Sequence, residues 1–154
     1  MRSKEPGLRA RALRHLARRE YTRHELTLKL APHAESAAEI AEVLDDFTRR
    51  GWLSEQRAAE QMVHARRSRY GLARIRRDLE AKGVTAEVVS TTVAALKDGE
   101  LEAAQSVRLR KFKAPPVGAV ERAKQARFLL GRGFSMDVIT RLLRGLAKGE
   151  AGGN

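Results

Sequence analysis

The sequence predicts an all-α protein of three tandem three-helix repeats, forming an elongated, curved helical array. Three observations carry that expectation. Apolar residues recur at helical intervals, and no stretch shows convincing strand alternation. Ala, Leu, Glu and Arg, all good helix formers, dominate the composition. A pattern also returns every 49 or 50 positions: Ile40, Leu44 and Phe47 match Val89, Val93 and Leu96, which match Ile139, Leu143 and Leu146. Ser36, Thr85 and Ser135 open these segments; Gly99 and Gly149 close the last two, with Gly51 near register in the first. One level earlier, Tyr21, Leu26 and Leu30 match Tyr70, Ile75 and Leu79. Self-similarity at such a period marks tandem supersecondary units. The expected division is 1–52, 53–99 and 100–150, with 151–154 a flexible tail.

In the first repeat, Met1 to Pro6 lead into a helix carrying Leu8, Leu13 and Leu16 that ends near Arg19. Thr22-Arg23-His24-Glu25 reads as a capping box, in which hydroxyl and carboxylate satisfy each other's backbone amides. The helix it opens carries Leu26 and Leu30 and stops at Pro32. Ser36 to Glu39 is a second capping box, for a helix with Ile40, Val43, Leu44 and Phe47 that Gly51 ends. The second repeat runs from Ser54 to about Arg69, then Gly71 to Lys82, then a helix capped by Thr85. In the third, a helix near Glu100 to Lys113 meets Ala114-Pro115-Pro116-Val117-Gly118, where two prolines forbid continuation. Ala119 to Arg132 and Ser135 to Leu146 complete the set. A helix of about twelve residues is marginal alone in water, so each trio must pack its apolar stripes together.

The formal net charge of +12 favours an anionic partner, nucleic acid or an acidic protein surface. The absence of cysteine excludes disulfides, thiolate catalysis and Cys-ligated zinc, and fits a reducing cytoplasm. No apolar run approaches membrane-spanning length, so a membrane partner is not expected.

The densest cationic feature surrounds Tyr70-Gly71. Six arginines, Arg66, Arg67, Arg69, Arg74, Arg76 and Arg77, lie between positions 66 and 77, Lys82 follows, and Asp78 is the only acid from 66 to 79. At about 100° per residue, Leu72, Ile75 and Leu79 share one face, Arg74 and Arg77 point away, and Arg76 borders the two. A solvated helical face explains most charge runs. Here the density favours capture of phosphate or carboxylate, which the guanidinium fork pairs bidentately. Tyr70, equivalent to Tyr21, suits junction packing better than base stacking. Further basic groups precede the prolines (Arg108, Arg110, Lys111, Lys113) and follow them (Arg122, Lys124, Arg127, Arg132). Glu35, Glu39, Glu42, Asp45 and Asp46 form an acidic counterpart, facing basic side chains of a partner or of the chain itself.

Catalytic chemistry is not legible. His15, His24, His33 and His64 are scattered outside any metal-ligand motif, so no metal is expected. Gly131-Arg132-Gly133 lacks a preceding strand, and no Gly-Lys-Ser/Thr triplet exists, so no nucleotide cofactor is expected either. The carboxylates have helical spacing and capping roles, so the chain does not read as an enzyme.

The chain resembles the RecX family of bacterial recombination regulators. The likeness rests on Tyr21-Thr22-Arg23-His24-Glu25-Leu26 with Lys29-Leu30, and on Leu44-Asp45-Asp46-Phe47 leading to Gly51-Trp52-Leu53. It continues through Arg69-Tyr70-Gly71, Ile75-Arg76-Arg77-Asp78-Leu79, Lys82-Gly83-Val84 and Phe128 to Ser135. Ser54-Glu55 departs from a pair of Asp common in the family, and Ala58 from a bulkier residue. The resemblance implies tandem three-helix repeats and a cytoplasmic regulator. It also implies binding of the RecA filament on single-stranded DNA, restraining ATP hydrolysis, strand exchange and filament growth in recombinational repair and the SOS response. The expected contacts are Arg66, Arg67, Arg69, Tyr70, Arg74, Arg76, Arg77 and Lys82, with Arg122, Lys124, Arg127 and Arg132 in support. RecA carboxylates and single-stranded DNA phosphates both fit that set, and a monomer is expected. The alternative is a DNA-binding helical protein acting without RecA, since short helices meeting at glycine imitate a helix-turn-helix. A bare helical adaptor is a third reading.

Overall fold

The computed structural model describes the backbone of residues 5–151 and side chains through 149; Met1–Lys4 and Gly152–Asn154, and with them most of the expected tail, lie outside. Among the described residues there are nine α-helices and no strands: α1 (Leu8–Arg18), α2 (Arg23–Leu30), α3 (Ala37–Arg49), α4 (Glu55–Arg66), α5 (Leu72–Ala81), α6 (Ala86–Leu96), α7 (Glu100–Lys111), α8 (Gly118–Gly131) and α9 (Met136–Ala151). None is long and apolar enough to cross a membrane. Single 3₁₀ turns follow α2 (Ala31–His33) and α6 (Lys97–Gly99). Contacts group the chain into one unit of Met1–Met62 with Leu79–Val89, and another of Val63–Asp78 with Ser90–Asn154.

The first unit is centred on Leu8, Ala12, Tyr21, Leu26, Leu30, Ile40, Leu44, Phe47 and Leu53. Its α2 opens with the complete capping box: Thr22 Oγ1 accepts from Glu25 N–H at 3.0 Å, and Glu25 Oε1 accepts from Thr22 N–H at 3.1 Å. The same hydroxyl donates to the Lys82 carbonyl. The expected box at α3 is only half made. Ser36 Oγ accepts from Glu39 N–H, but the Glu39 carboxylate turns to the Glu35 amide at 2.9 Å. Ser54 caps α4 through Arg57 N–H, and Ala58 is buried. Two acids of the acidic helix are neutralised within the chain: Arg23 meets Asp45, while Arg9, Arg49 and Arg50 surround Asp46. Hydrogen bonds from Arg9 and then Arg50 lower the Asp46 carboxyl to about 2.

The second unit packs α7, α8 and α9 around Ala104, Val107, Leu129, Phe134, Val138, Ile139, Leu142 and Leu143. Ser135 Oγ accepts from Val138 N–H as α9 begins. The repeating glycine differs from expectation. Gly149 lies inside α9, and Gly99 has an ordinary φ of −90°. Gly83 and Gly133, 50 positions apart, take left-handed φ of +75° and +96° just past α5 and α8. α9 also continues past Leu146 to Ala151, because a helical glycine weakens the helix without forbidding it.

Candidate anion-binding surface

The start of α5 is fixed by two glycines. Gly71 N–H donates to Arg132 O at 2.8 Å, and Ala73 N–H to Gly133 O at 3.1 Å. A Cβ on Gly71 would lie 2.5 Å from the Gly133 carbonyl carbon, so this backbone approach admits no side chain there. The junction puts the α8–α9 turn beside the arginine-rich segment within the second unit.

That segment divides into two sets. Arg66 and Arg74 both bind Asp78, at 2.8 and 3.3 Å. Arg67 binds Glu100 at 2.9 Å and the Leu96 carbonyl at 3.1 Å. Half the arginines expected to seek outside charge therefore find it inside, and mutual repulsion does not require a partner for them. Asp78 was visible in the sequence as the segment's sole acid; Glu100, 33 positions from Arg67, was not. Arg69, Arg76 and Arg77 are exposed and form no ion pair among the described residues.

Tyr70 is half-buried, with the Arg74 guanidinium 4.8 Å and that of Arg132 5.5 Å from its ring centroid. Arg132 also lies 5.2 Å from the Phe128 ring. Tyr70 thus serves as a platform for the chain's own arginines, as Tyr21 does for Arg19 at 3.5 Å in the first unit. Lys82 belongs to the first unit, 3.8 Å from Glu25. Arg122, Lys124 and Arg127 are exposed on α8 without ion pairs among the described residues.

Arg108 departs most from the sequence reading. Grouped there with the basic residues that precede the prolines, it is 1% exposed. Its guanidinium donates to Gln105 Oε1 at 3.1 Å, and to Gln125 Oε1 and the Ala114 carbonyl at 3.3 Å each. Among the described residues no carboxylate joins it, and burial pushes it below the usual arginine range. Gln125 also donates to Ala114 O, so two buried side chains pin the first residue of the proline loop. A signal existed: Glu100, Ala104, Val107 and Arg108 are the buried residues of α7 and follow one i, i+4, i+7, i+8 stripe.

The two units differ in charge. The second holds 18 Lys and Arg against 7 Asp and Glu; the first holds 13 against 12. Nearly all of the excess of +12 therefore lies in the second unit, together with the unpaired arginines. Exposed guanidinium and ammonium groups in such excess attract polyanions and steer them from a distance.

Residues 9–47, 54–93 and 98–143 match, in that order, the first, second and third three-helix domains of RecX. The chain belongs to the RecX family. A regulatory protein RecX from Leptothrix cholodnii is 49% identical over 138 residues, covering 90% of this chain and 88% of that protein. The one from Ralstonia nicotianae is 45% identical over 139 residues, covering 90% and 87%. The crystal structure of RecX from Lactobacillus salivarius superposes with a TM-score of 0.80 over 92% of this chain and 95% of that one; at 20% identity the likeness is one of fold. The unpaired Arg69, Arg76 and Arg77 lie within the span of the second RecX domain, and Arg122, Lys124 and Arg127 within the third.

Proposed function

We propose that this chain is a non-enzymatic, monomeric, cytoplasmic regulator that binds the RecA filament on single-stranded DNA and restrains its ATP hydrolysis, strand exchange and growth. Membership of the RecX family supports the class of activity. The observation that carries the mode of binding is the concentration of positive charge in the second unit, where Arg69, Arg76 and Arg77 form no ion pair among the described residues. These three are the primary contacts, with Arg122, Lys124 and Arg127 extending the surface. Arg66, Arg67 and Arg74 position the segment through their ion pairs, and Tyr70 and Arg132 stack upon one another. Lys82 remains a contact of the first unit.

The test is RecA ATPase on single-stranded DNA, titrated with the wild-type chain and with Arg69→Ala, Arg76→Ala and Arg77→Ala combined. All three side chains are exposed, so the variant keeps its helical circular dichroism. It should need about tenfold more protein for half-inhibition, equivalent to 1.4 kcal/mol of binding. Unchanged inhibition by the folded variant would place the interface elsewhere. The charge excess also favours direct DNA binding without RecA. That reading requires sequence-selective retention of duplex over random competitor, with affinity falling steeply in salt.

A further inference from the structure

We propose that the groove between α8 and α9 docks an acidic amphipathic helix of a partner protein. The groove lies wholly in the second unit and has a volume of about 460 Å³, a size that accepts large apolar groups. Ala119, Ala123 and Ala126 line it from α8, and their methyls let a third helix approach closely. Ile139 and Leu143 line it from α9 while also serving the core, so an apolar floor is already rigid. Met136, 52% exposed, adds a thioether that adapts to the shape of what enters.

Charge selects the occupant. Arg122 on α8 and Arg144 on α9 line the same groove, both exposed and unpaired among the described residues. Lys124, Arg127, Arg141 and Lys148 are exposed on the same two helices outside the groove lining and add to the general positive field. The acids among their described side chains are Glu121, whose carboxylate accepts from the Val117 amide, and Asp137. An apolar floor beneath two positive walls fits a helix with apolar anchors at i, i+4 and i+7 and carboxylates beside them.

Neither terminal stretch of the given sequence has the composition of that helix. Met1–Lys4 is basic and would be repelled, and Gly152–Asn154 carries no apolar side chain. The acidic α3 buries Ile40, Leu44 and Phe47 in its own core and pairs Asp45 and Asp46 internally, so the acidic helix of a second copy has no such face to offer. Arg144 and Ala147 lie beyond the span matched by the third RecX domain, so part of the groove is built by the C-terminal extension of α9.

The probe is a fluorescein-labelled 16-residue helical peptide with leucines at i, i+4, i+7 and i+11 and glutamates between. Its anisotropy is measured against the full chain without RecA or DNA, so failure here leaves the proposed function standing. Saturable binding is expected. Arg122→Glu with Arg144→Glu, and separately Ala123→Trp, should each weaken it about tenfold, the effect of losing an interface anchor. A peptide of equal composition with scattered leucines should lose as much. Retained binding by the scattered peptide would reduce the groove to general charge attraction and overturn the proposal, as would undiminished binding to Ala123→Trp. Should Ala123→Trp lose its helical circular dichroism, a photo-crosslinker on the peptide decides: attachment to α8 and α9 supports the docking site, and attachment elsewhere refutes it.

Discussion

Glu100→Gln separates scaffolding from contact among the arginines. The Glu100 and Arg67 side chains are 7% and 19% exposed. One carboxylate oxygen receives Arg67 Nη1 at 2.9 Å, and the other receives Leu72 N–H at 3.2 Å, so the residue neutralises a cation and holds the first amide of α5. Removing one partner of a buried ion pair costs about 3–5 kcal/mol. Arg67 keeps some solvent and the Leu96 carbonyl, and glutamine still accepts from Leu72, so the loss should be about 2 kcal/mol. Glu100→Ala also leaves Leu72 N–H without its acceptor, adding about 1 kcal/mol. For a chain of this length that means Tm falls of roughly 4–8 °C and 6–12 °C respectively. Combined with Arg67→Met, which keeps apolar volume but no charge, Glu100→Gln should show a coupling of about 2 kcal/mol in guanidinium unfolding followed by circular dichroism. A coupling below about 0.5 kcal/mol would mean that the pair is solvated. Arg67 would then rejoin the cations available to a partner.

Two further outcomes follow from Arg108 and Glu25. Arg108→Ala should destabilise by about 3 kcal/mol, because it empties the space of a fully buried side chain and strands the Gln105 and Gln125 acceptors. Arg108→Met, which refills that space but strands the same acceptors, should recover the packing part of the loss; equal Tm falls for both would refute the account of the buried side chain. Burial alone would raise the Glu25 carboxyl, but Arg19 and the Thr22 amide overcome it and hold the group below its usual value. A depressed carboxyl contributes stability that is full above its unfolded value near 4.5 and is lost as pH falls through the folded value. Thermal melts should therefore drop below about pH 4.5, and more gently in Glu25→Gln, which starts lower at neutral pH. Asp46 extends the same dependence down to about 2.

Elements with strong local signals were legible. Thr22 and Glu25 announced α2 and Pro32 its end, and the helix runs from Arg23 to Leu30 before a 3₁₀ turn containing the proline. Capping boxes and prolines act within four residues, so one dimension is enough to see them. The half-made box at Ser36 shows the limit: Glu39 could reach either of two neighbouring amides, and spacing does not choose between them.

The arginines were harder for a different reason. Whether a guanidinium is available depends on the nearest carboxylate in space, and Glu100 comes from a distant helix. Glu100 and Arg108 share the i, i+4, i+7, i+8 spacing of the buried stripe of α7 with Ala104 and Val107, yet charge alone had grouped Arg108 with its basic neighbours. Position carried more information than chemical type, because a buried charge is tolerated wherever enough oxygens or a counter-ion meet it. The partition of net charge was hidden likewise. The basic unit is assembled from 63–78 and 90–154, segments separated by a stretch that packs with the near-neutral unit. Only folding brings the cations of α5, α8 and α9 into one body, and removing the internally paired ones leaves Arg69, Arg76 and Arg77 as the members of the original cluster without an ion pair among the described residues.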